Sequence, residues 1–206
     1  MNRINLNENW RFAKLPDGIF PPAAEPAWEN VALPHSWYQD DDPYHGLAVY
    51  CKTVSADPAW RNGFLEFEGA DQVCRVLVNG KEIGEHKGAY ARFRFPVPDA
   101  ALKSGELRIE VFLDNHISPD VSPNFGDFTV FGGLYRSVNL LITGEDHFDY
   151  CYYGTDGVIA RTTVDEDGYG HVSVEPHTCT DDPDAYTEYT VIGPDGVPKS
   201  PCERKP

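Results

Sequence analysis

Apolar residues recur at every second position over much of this chain, and that spacing constrains its fold more than any other feature. Residues 107–113 are the clearest case, and 64–68, 73–78, 90–95 and 138–142 show the same period. Asn79-Gly80 accepts positive φ at both central positions of a type I′ hairpin turn. No long stretch has a period of 3.6 residues. The sequence therefore predicts an all-β sandwich with no more than one helical turn, at 96–102.

The character of the sequence changes after Thr143, where Gly144-Glu145-Asp146 marks a predicted domain boundary. Further strands are predicted at 158–164, 171–175 and 186–192, followed by a turn at 193–196. An immunoglobulin-type sandwich needs about seven strands in about 100 residues. We therefore predict one sandwich domain over residues 1–143 and an incomplete second sandwich over residues 144–206.

The 206 residues carry a formal net charge of −16. The acidity is uneven, because 14 of the 33 acidic residues but only 4 of the 17 basic ones follow Thr143. Nucleic-acid backbones and anionic bilayers repel such a surface, so we exclude nucleic acid and membranes as partners. The plain interpretation of the acidity is solubility.

Localisation and redox state are predicted from features that the sequence lacks. The N-terminal segment has no apolar core of a signal peptide, and no later stretch approaches the ~20 apolar residues of a membrane span. The five cysteines include no CxxC pair, which argues against a zinc site or a disulfide framework. We therefore expect a cytoplasmic protein with free thiols.

Four segments, taken together, resemble a known family. They are 6–12 (LNENWRF), 33–50 with LPHSW and DPYHG, 76–93 with VLVNGK and GEHKGAY, and 126–136 (GDFTVFGGLYR). Their order and spacing resemble the sugar-binding domain of glycoside hydrolase family 2, and the last segment is most similar to the β-galactosidase branch. The resemblance implies a jelly-roll β-sandwich first, an immunoglobulin-like β-sandwich second and a (β/α)₈ barrel third. These residues contain the first, part of the second and none of the third.

The glycine-rich loop (residues 126–136) contains the strongest candidate for a sugar contact. The resemblance implies that Asp127 reaches the active site of the full-length enzyme, where it helps to hold the galactose 6-hydroxyl and a sodium ion. A carboxylate suits both roles, since it accepts hydrogen bonds from hydroxyls and is a hard oxygen ligand. The alternative is a loop carboxylate that caps a turn. Arg136 is expected to pair with Asp127 or Glu85, and the loop glycines are expected to permit tight backbone packing.

The acidic loop (residues 40–46) is the second candidate. The resemblance implies that it also approaches the sugar, with Asp42, Tyr44 and His45 as contacts. His45 falls near the place of a family asparagine, so the polar contacts there are remade by His45 or Asp42, or are lost. The alternative is a solvated acidic turn. Trp37, Tyr44 and Tyr90 could stack on a sugar ring, although buried sandwich aromatics are commoner.

The resemblance implies that the full-length protein hydrolyses terminal β-D-galactosides with retention. Such enzymes need two carboxyl groups about 5–5.5 Å apart, and in this family both are glutamates on barrel strands, one of them following an asparagine. Asn7-Glu8 is the only Asn-Glu pair here, and it precedes Trp10 in the first domain. We therefore expect no catalytic residue in this chain and no hydrolase activity from it alone.

The implied partners are a β-galactoside, the protein's own catalytic barrel and further copies of the subunit in a homo-oligomer. Sodium and magnesium are implied for the full-length enzyme, and no cofactor is implied for this chain alone. Three alternatives stay open: a β-glucuronidase- or β-mannosidase-type relative, a stand-alone carbohydrate-binding module, and a purely structural interface domain with exposed apolar patches.

Overall fold

The computed structural model describes residues 1–19, 22, 24–38, 44–122 and 131–199, together with the backbone of 203–205. The chain is all-β, a jelly-roll β-sandwich followed by part of an immunoglobulin-like β-sandwich, as predicted. The strands of the first sandwich are β1 (Asn2–Asn5), β2 (Trp10–Leu15), β3 (Glu29–Val31), β4 (Leu47–Ser55), β5 (Gly63–Phe67), β6 (Val73–Val78), β7 (Lys81–Lys87), β8 (Phe93–Val97), β9 (Glu106–Asp114) and β10 (Val138–Ile142).

Two antiparallel sheets make this sandwich. One has the order β3-β2-β4-β9-β6-β7, and the other has the order β1-β10-β5-β8. Alternate side chains of each strand point between the sheets, so all four odd-numbered residues of 107–113 are fully buried. Trp10, Tyr50 and Phe67 are equally buried and fill the centre of the same core. The period-2 pattern thus predicts the inward faces correctly.

The predicted turns are present. Asn79 and Gly80 have φ of 51° and 76°, as a type I′ turn requires, and they join β6 to β7. One short helix, α1 (Asp99–Leu102), lies within the predicted helical turn. A 3₁₀ turn at Tyr152–Gly154 is the other helix-like turn among the residues described. None of the helices in the described ranges is long and apolar enough to cross a bilayer.

After Ile142 the strands form separate two-stranded sheets. The strands are β11 (His147–Phe148), β12 (Val158–Val164), β13 (Gly170–Pro176), β14 (Thr178–Cys179), β15 (Thr187–Tyr189) and β16 (Glu203–Lys205). The strand predicted at 186–192 is shorter, because its partner β16 is only three residues long and Ile192 instead bridges to Pro198 across the 193–196 turn. Val164 and Tyr169 are 74% and 70% exposed. The division into two domains stays a prediction.

Arg94 joins the first sandwich to the segment that follows it. Its side chain is fully buried and lies 2.6 Å from the Glu66 carboxylate, which is fully buried as well. The guanidinium also donates to the backbone carbonyls of Tyr150 and Thr155 and to Oδ1 of Asp156, the last at 2.8 Å. Every hydrogen-bonding edge of the buried cation is therefore used, as burial of a charge demands.

Candidate functional site

The two loops that the sequence singles out begin side by side, because Trp37 connects them. The Trp37 amide donates to the Gly132 carbonyl at 3.2 Å, and the Ser36 hydroxyl donates to the same oxygen at 2.9 Å. The Trp37 indole Nε1–H donates to the Tyr44 carbonyl at 3.1 Å. The end of the acidic loop and the second half of the glycine-rich loop are thereby fixed at one end of the sandwich.

Two glycines allow this approach. A Cβ on Gly132 would lie 2.2 Å from the Trp37 indole, and one on Gly133 would lie 2.4 Å from the His35 carbonyl oxygen. Gly133 also has φ of 135°, a value that L side chains rarely adopt. Its amide and carbonyl exchange hydrogen bonds of 3.3 and 3.1 Å with the backbone of Asp71. The expectation that these glycines permit tight backbone packing agrees with this geometry.

Three rings line the surface between the loops. The Tyr38 ring meets His45 edge-on at 6.3 Å and Phe131 edge-on at 5.7 Å between centroids. Phe131 is 52% exposed, and His45 is exposed as well. His45 is therefore accessible for the sugar contact that the resemblance implies, with the Tyr38 ring beside it and Phe131 on Tyr38.

Tyr44 holds the acidic loop in place through its own polar atoms. Its hydroxyl donates to the Leu47 carbonyl at 2.7 Å, and its carbonyl also accepts from the Asn115 amide at 3.4 Å. Burial raises the pKa of the Tyr44 phenol above its usual value, and the nearby Asp114 carboxylate adds to this. With its hydroxyl already donated to backbone, Tyr44 is better suited to positioning the loop than to binding hydroxyl groups of a ligand.

The other two aromatic candidates, Trp37 and Tyr90, differ in how far their side chains are exposed. Trp37 is 2% exposed and stacks on Phe12 at 5.8 Å, so it is a core ring, which was the alternative interpretation. Tyr90 is 55% exposed and remains available for stacking. Burial alone thus assigns Trp37 to packing and leaves Tyr90 as a surface candidate.

The predicted pairing of Arg136 with Glu85 is wrong. Arg136 donates to the backbone carbonyls of Glu68 and Tyr90, at 3.2 and 2.8 Å. Glu85 instead accepts from Arg75 at 3.1 Å, because strand pairing places those two residues opposite each other on β6 and β7. Arg136 therefore ties two loops together through their backbone.

Asp127 and Asp42 lie outside the residues that the structure describes, so their proposed contacts with sugar and sodium stay predictions. Within the described ranges no group of three or more His, Cys, Asp or Glu side chains could hold a metal ion.

Asp71 is a feature of this end of the sandwich that the sequence analysis missed. Its side chain is 4% exposed, and among the described residues its Oδ1 has no hydrogen-bond partner. Burial raises the pKa of the Asp71 carboxyl to about 7. The sequence Gly69-Ala70-Asp71-Gln72 is typical of a solvated turn. Asp71 is buried because its backbone pairs with that of Gly133, and nothing in the neighbouring sequence predicts this pairing.

Replacing Asp71 with asparagine is expected to stabilise the chain at pH 8 more than at pH 5. The folded-state pKa lies above the unfolded value, so the wild type loses stability as pH rises towards and through 7. At pH 8 we expect the free energy of unfolding of D71N to exceed that of the wild type by about 2 kcal/mol. This is about half the full linkage value, because relaxation and solvent screen part of the penalty. Urea unfolding at both pH values measures it. Equal gains at pH 5 and pH 8 would show that the carboxyl does not titrate between them.

The first domain is thus a β-sandwich whose neighbouring loops present exposed polar and aromatic groups at one end. The sequence profile described as "Glycosyl hydrolases family 2, sugar binding domain" matches residues 22–144. The chain belongs to this family, as its four segments predict.

Relatives carry two different activities in their names. The β-glucuronidase of Bacteroides fragilis is 31% identical over 202 residues, which cover 94% of this chain and 28% of the relative. The β-galactosidase of Thermoanaerobacter pseudethanolicus is 32% identical over 167 residues, or 74% of this chain and 22% of the relative. Bacteroides uniformis β-glucuronidase 2, covalently bound to cyclophellitol-6-carboxylate aziridine, matches 99% of this chain and 25% of its own, with a TM-score of 0.85 and 27% identity. The chain thus spans less than a third of each relative.

Proposed function

We propose that this chain is the non-catalytic, sugar-contacting N-terminal region of a longer retaining glycosidase that hydrolyses terminal β-D-galactosides. The observation that carries the proposal is the junction of Trp37 with Gly132 and Tyr44, which holds the two candidate loops at one end of a family 2 sandwich. From there, carboxylates of both loops would extend towards a sugar bound in the catalytic barrel. The barrel would supply both catalytic carboxyl groups, and further subunits would complete a homo-oligomer.

The substrate is the part of this proposal for which the relatives offer a second candidate. The relative that matches 94% of this chain is named a β-glucuronidase, which favours a β-glucuronide. The two sugars differ in the configuration of the C4 hydroxyl and at C6, where the galactoside has a hydroxyl group and the glucuronide has a carboxylate. An aspartate near C6 accepts a hydrogen bond from a hydroxyl and repels a carboxylate, so Asp127 favours the galactoside.

The experiment that tests the proposal is to extend the source gene beyond the codon for Pro206 and assay the encoded protein. We expect an open frame that encodes a barrel with an Asn-Glu pair and a second glutamate, and a product that cleaves p-nitrophenyl β-D-galactoside. Faster cleavage of the β-D-glucuronide would select the second candidate. A stop codon directly after Pro206 would contradict the enzyme and leave a stand-alone carbohydrate-binding module.

In that full-length enzyme, Asp127→Ala is expected to lower kcat/KM for the galactoside at least about tenfold, because a contact to the reacting sugar is lost. Dependence of KM on sodium should weaken in the same variant. Asp99→Ala, which removes an exposed carboxylate from α1, is the control and should leave the kinetics unchanged. Unaltered kinetics and sodium response in D127A would assign Asp127 to turn capping.

A further inference from the structure

The outer face of the six-stranded sheet carries a groove that the candidate loops do not share. It has a volume of about 710 Å³, within the range of small-ligand sites. Its walls include Trp28, Leu77, Glu82, Arg108, Glu110 and Phe112. None of its lining residues belongs to the acidic loop or the glycine-rich loop, so it is a separate surface. We call it the outer groove.

Strand pairing explains the floor of the outer groove. Val49 on β4 pairs with Phe112 on β9, and Leu77 on β6 pairs with Glu110 on β9 and with Glu82 on β7. Directly paired residues lie on the same face of a sheet, so these side chains form one continuous surface. The groove crosses from β4 to β7, a distance of about 14 Å at the usual strand spacing. That length exceeds one sugar ring and suits a chain of sugars.

A β-bulge shapes the far end of the outer groove. The register of β6 against β7 shifts between Val76 and Leu77, next to Glu82. Bulges turn a side chain away from the regular alternation and are frequent beside binding sites. The bulge therefore fits a surface built to present Leu77 and Glu82 to a ligand.

Trp28 is a rigid wall at the other end. The Arg11 guanidinium lies 4.5 Å from the centre of the Trp28 ring, and the indole Nε1–H donates to Oε1 of Glu25 at 2.5 Å. A ring held on one face and at its polar edge loses little entropy when a ligand packs beside it. Trp28 is therefore preorganised as an apolar contact.

The charges of the outer groove select its ligand. Arg108 donates to Glu110 at 2.9 Å, and Glu25 and Glu82 add two further carboxylates. Arg75, which lies 3.5 Å from Glu82, and Arg11, which lies over Trp28, balance the remaining carboxylates. The groove therefore has no excess of positive charge to attract an anionic chain. Carboxylates accept hydrogen bonds from hydroxyl groups and the guanidinium donates to them, while Trp28 offers an apolar surface to C–H faces. A neutral, hydroxyl-rich chain satisfies all of these groups.

From this geometry we propose that the outer groove binds a neutral oligosaccharide and gives the domain a second sugar contact, remote from the loops that serve the catalytic barrel. The inference rests on the proposed function in one respect, namely that this domain meets carbohydrate. It adds a ligand class and a surface, through which the domain would hold a polymeric substrate while its terminal residue is processed elsewhere.

Affinity electrophoresis of the 206-residue chain tests this inference. The gels contain soluble β-1,4-galactan, galactomannan or xyloglucan as neutral probes and polygalacturonate as the anionic probe. We expect at least one neutral probe to retard the chain and polygalacturonate to leave it unretarded. Trp28→Ala and Glu110→Gln should each weaken retardation at least fivefold, whereas Arg161→Gln, on the exposed β12–β13 hairpin, should not change it.

Three outcomes would contradict the inference that the outer groove binds an oligosaccharide. They are no retardation by any neutral probe, unchanged retardation of W28A and E110Q, and loss of retardation in His45→Ala alone. The last outcome would locate sugar binding at the candidate loops. It would support the proposed function and exclude the outer groove as the binding site. Should W28A fail to fold, the Trp28 indole N–H resonance in the wild type must shift when the retarding polysaccharide is added as short oligosaccharides. An unmoved Trp28 resonance contradicts the inference independently of any variant.

Discussion

Arg94→Met is expected to lower the free energy of unfolding by about 3–5 kcal/mol, the usual cost of removing one partner from a buried ion pair. The substitution leaves the Glu66 carboxylate, 0% exposed, without its closest cation. It also removes the donor to the Tyr150 and Thr155 carbonyls. Urea unfolding at pH 7, followed by circular dichroism, measures the loss.

Two further variants give this prediction its controls. Arg161→Met removes an ion pair of similar length, 2.8 Å to Glu175, whose side chains are 61% and 47% exposed. Exposed pairs contribute at most about 1 kcal/mol, so the chain should keep nearly all its stability. In R94M the buried Glu66 carboxylate keeps only the half-exposed Arg3 guanidinium, at 2.7 Å, as a close cation. Adding Glu66→Gln should therefore restore part of the loss, because the incompletely compensated buried charge is removed. A loss under about 1 kcal/mol in R94M would contradict the role assigned to this cation.

Gly133→Ala is expected to cost about 3 kcal/mol. The residue has φ of 135°, and an added Cβ would lie 2.4 Å from the His35 carbonyl oxygen and 3.0 Å from the Ser36 Cα. Both obstacles are backbone atoms, so no side-chain rotation relieves the contact. A strained φ and overpacking each cost about 1–3 kcal/mol. The same urea experiment applies.

Gly105→Ala separates the two contributions. Gly105 has φ of 83° with nothing within 4 Å of an added Cβ, so only the left-handed backbone is penalised, by about 1 kcal/mol. Equal losses in G133A and G105A would mean that the junction between the candidate loops yields easily. A larger loss in G133A supports a rigid junction between Gly133 and the backbone at His35.

Local sequence pattern predicted the parts of this fold that depend on neighbours in the chain. The inward residues of β9 and the Asn79-Gly80 turn are set by period and by φ preference, and both appear as expected. Glu66 shows where this logic ends. Its alternation predicts a solvent-facing position, yet the side chain is buried because the segment from Phe148 to Asp156 covers that face of the sheet.

The candidate site also has parts that the sequence predicted and parts that it could not predict. The family resemblance identified the two loops, and the structure brings their described ends together at Trp37. The buried Asp71 could not be found from sequence, because its burial depends on pairing with Gly133, sixty-two positions further along the chain. The exclusion of Trp37 from stacking required knowledge of the core, which pattern alone does not supply.

The Arg94 contacts have a consequence for how this junction tolerates evolutionary change. Two of its acceptors are main-chain oxygens, those of Tyr150 and Thr155, and every amino acid provides such an oxygen. Substitutions at these two positions therefore preserve the acceptors, whereas an insertion or deletion between them moves both carbonyls out of reach. We expect the spacing from residue 150 to residue 155 to be kept among homologues with an arginine at this place, while the side chains along it vary.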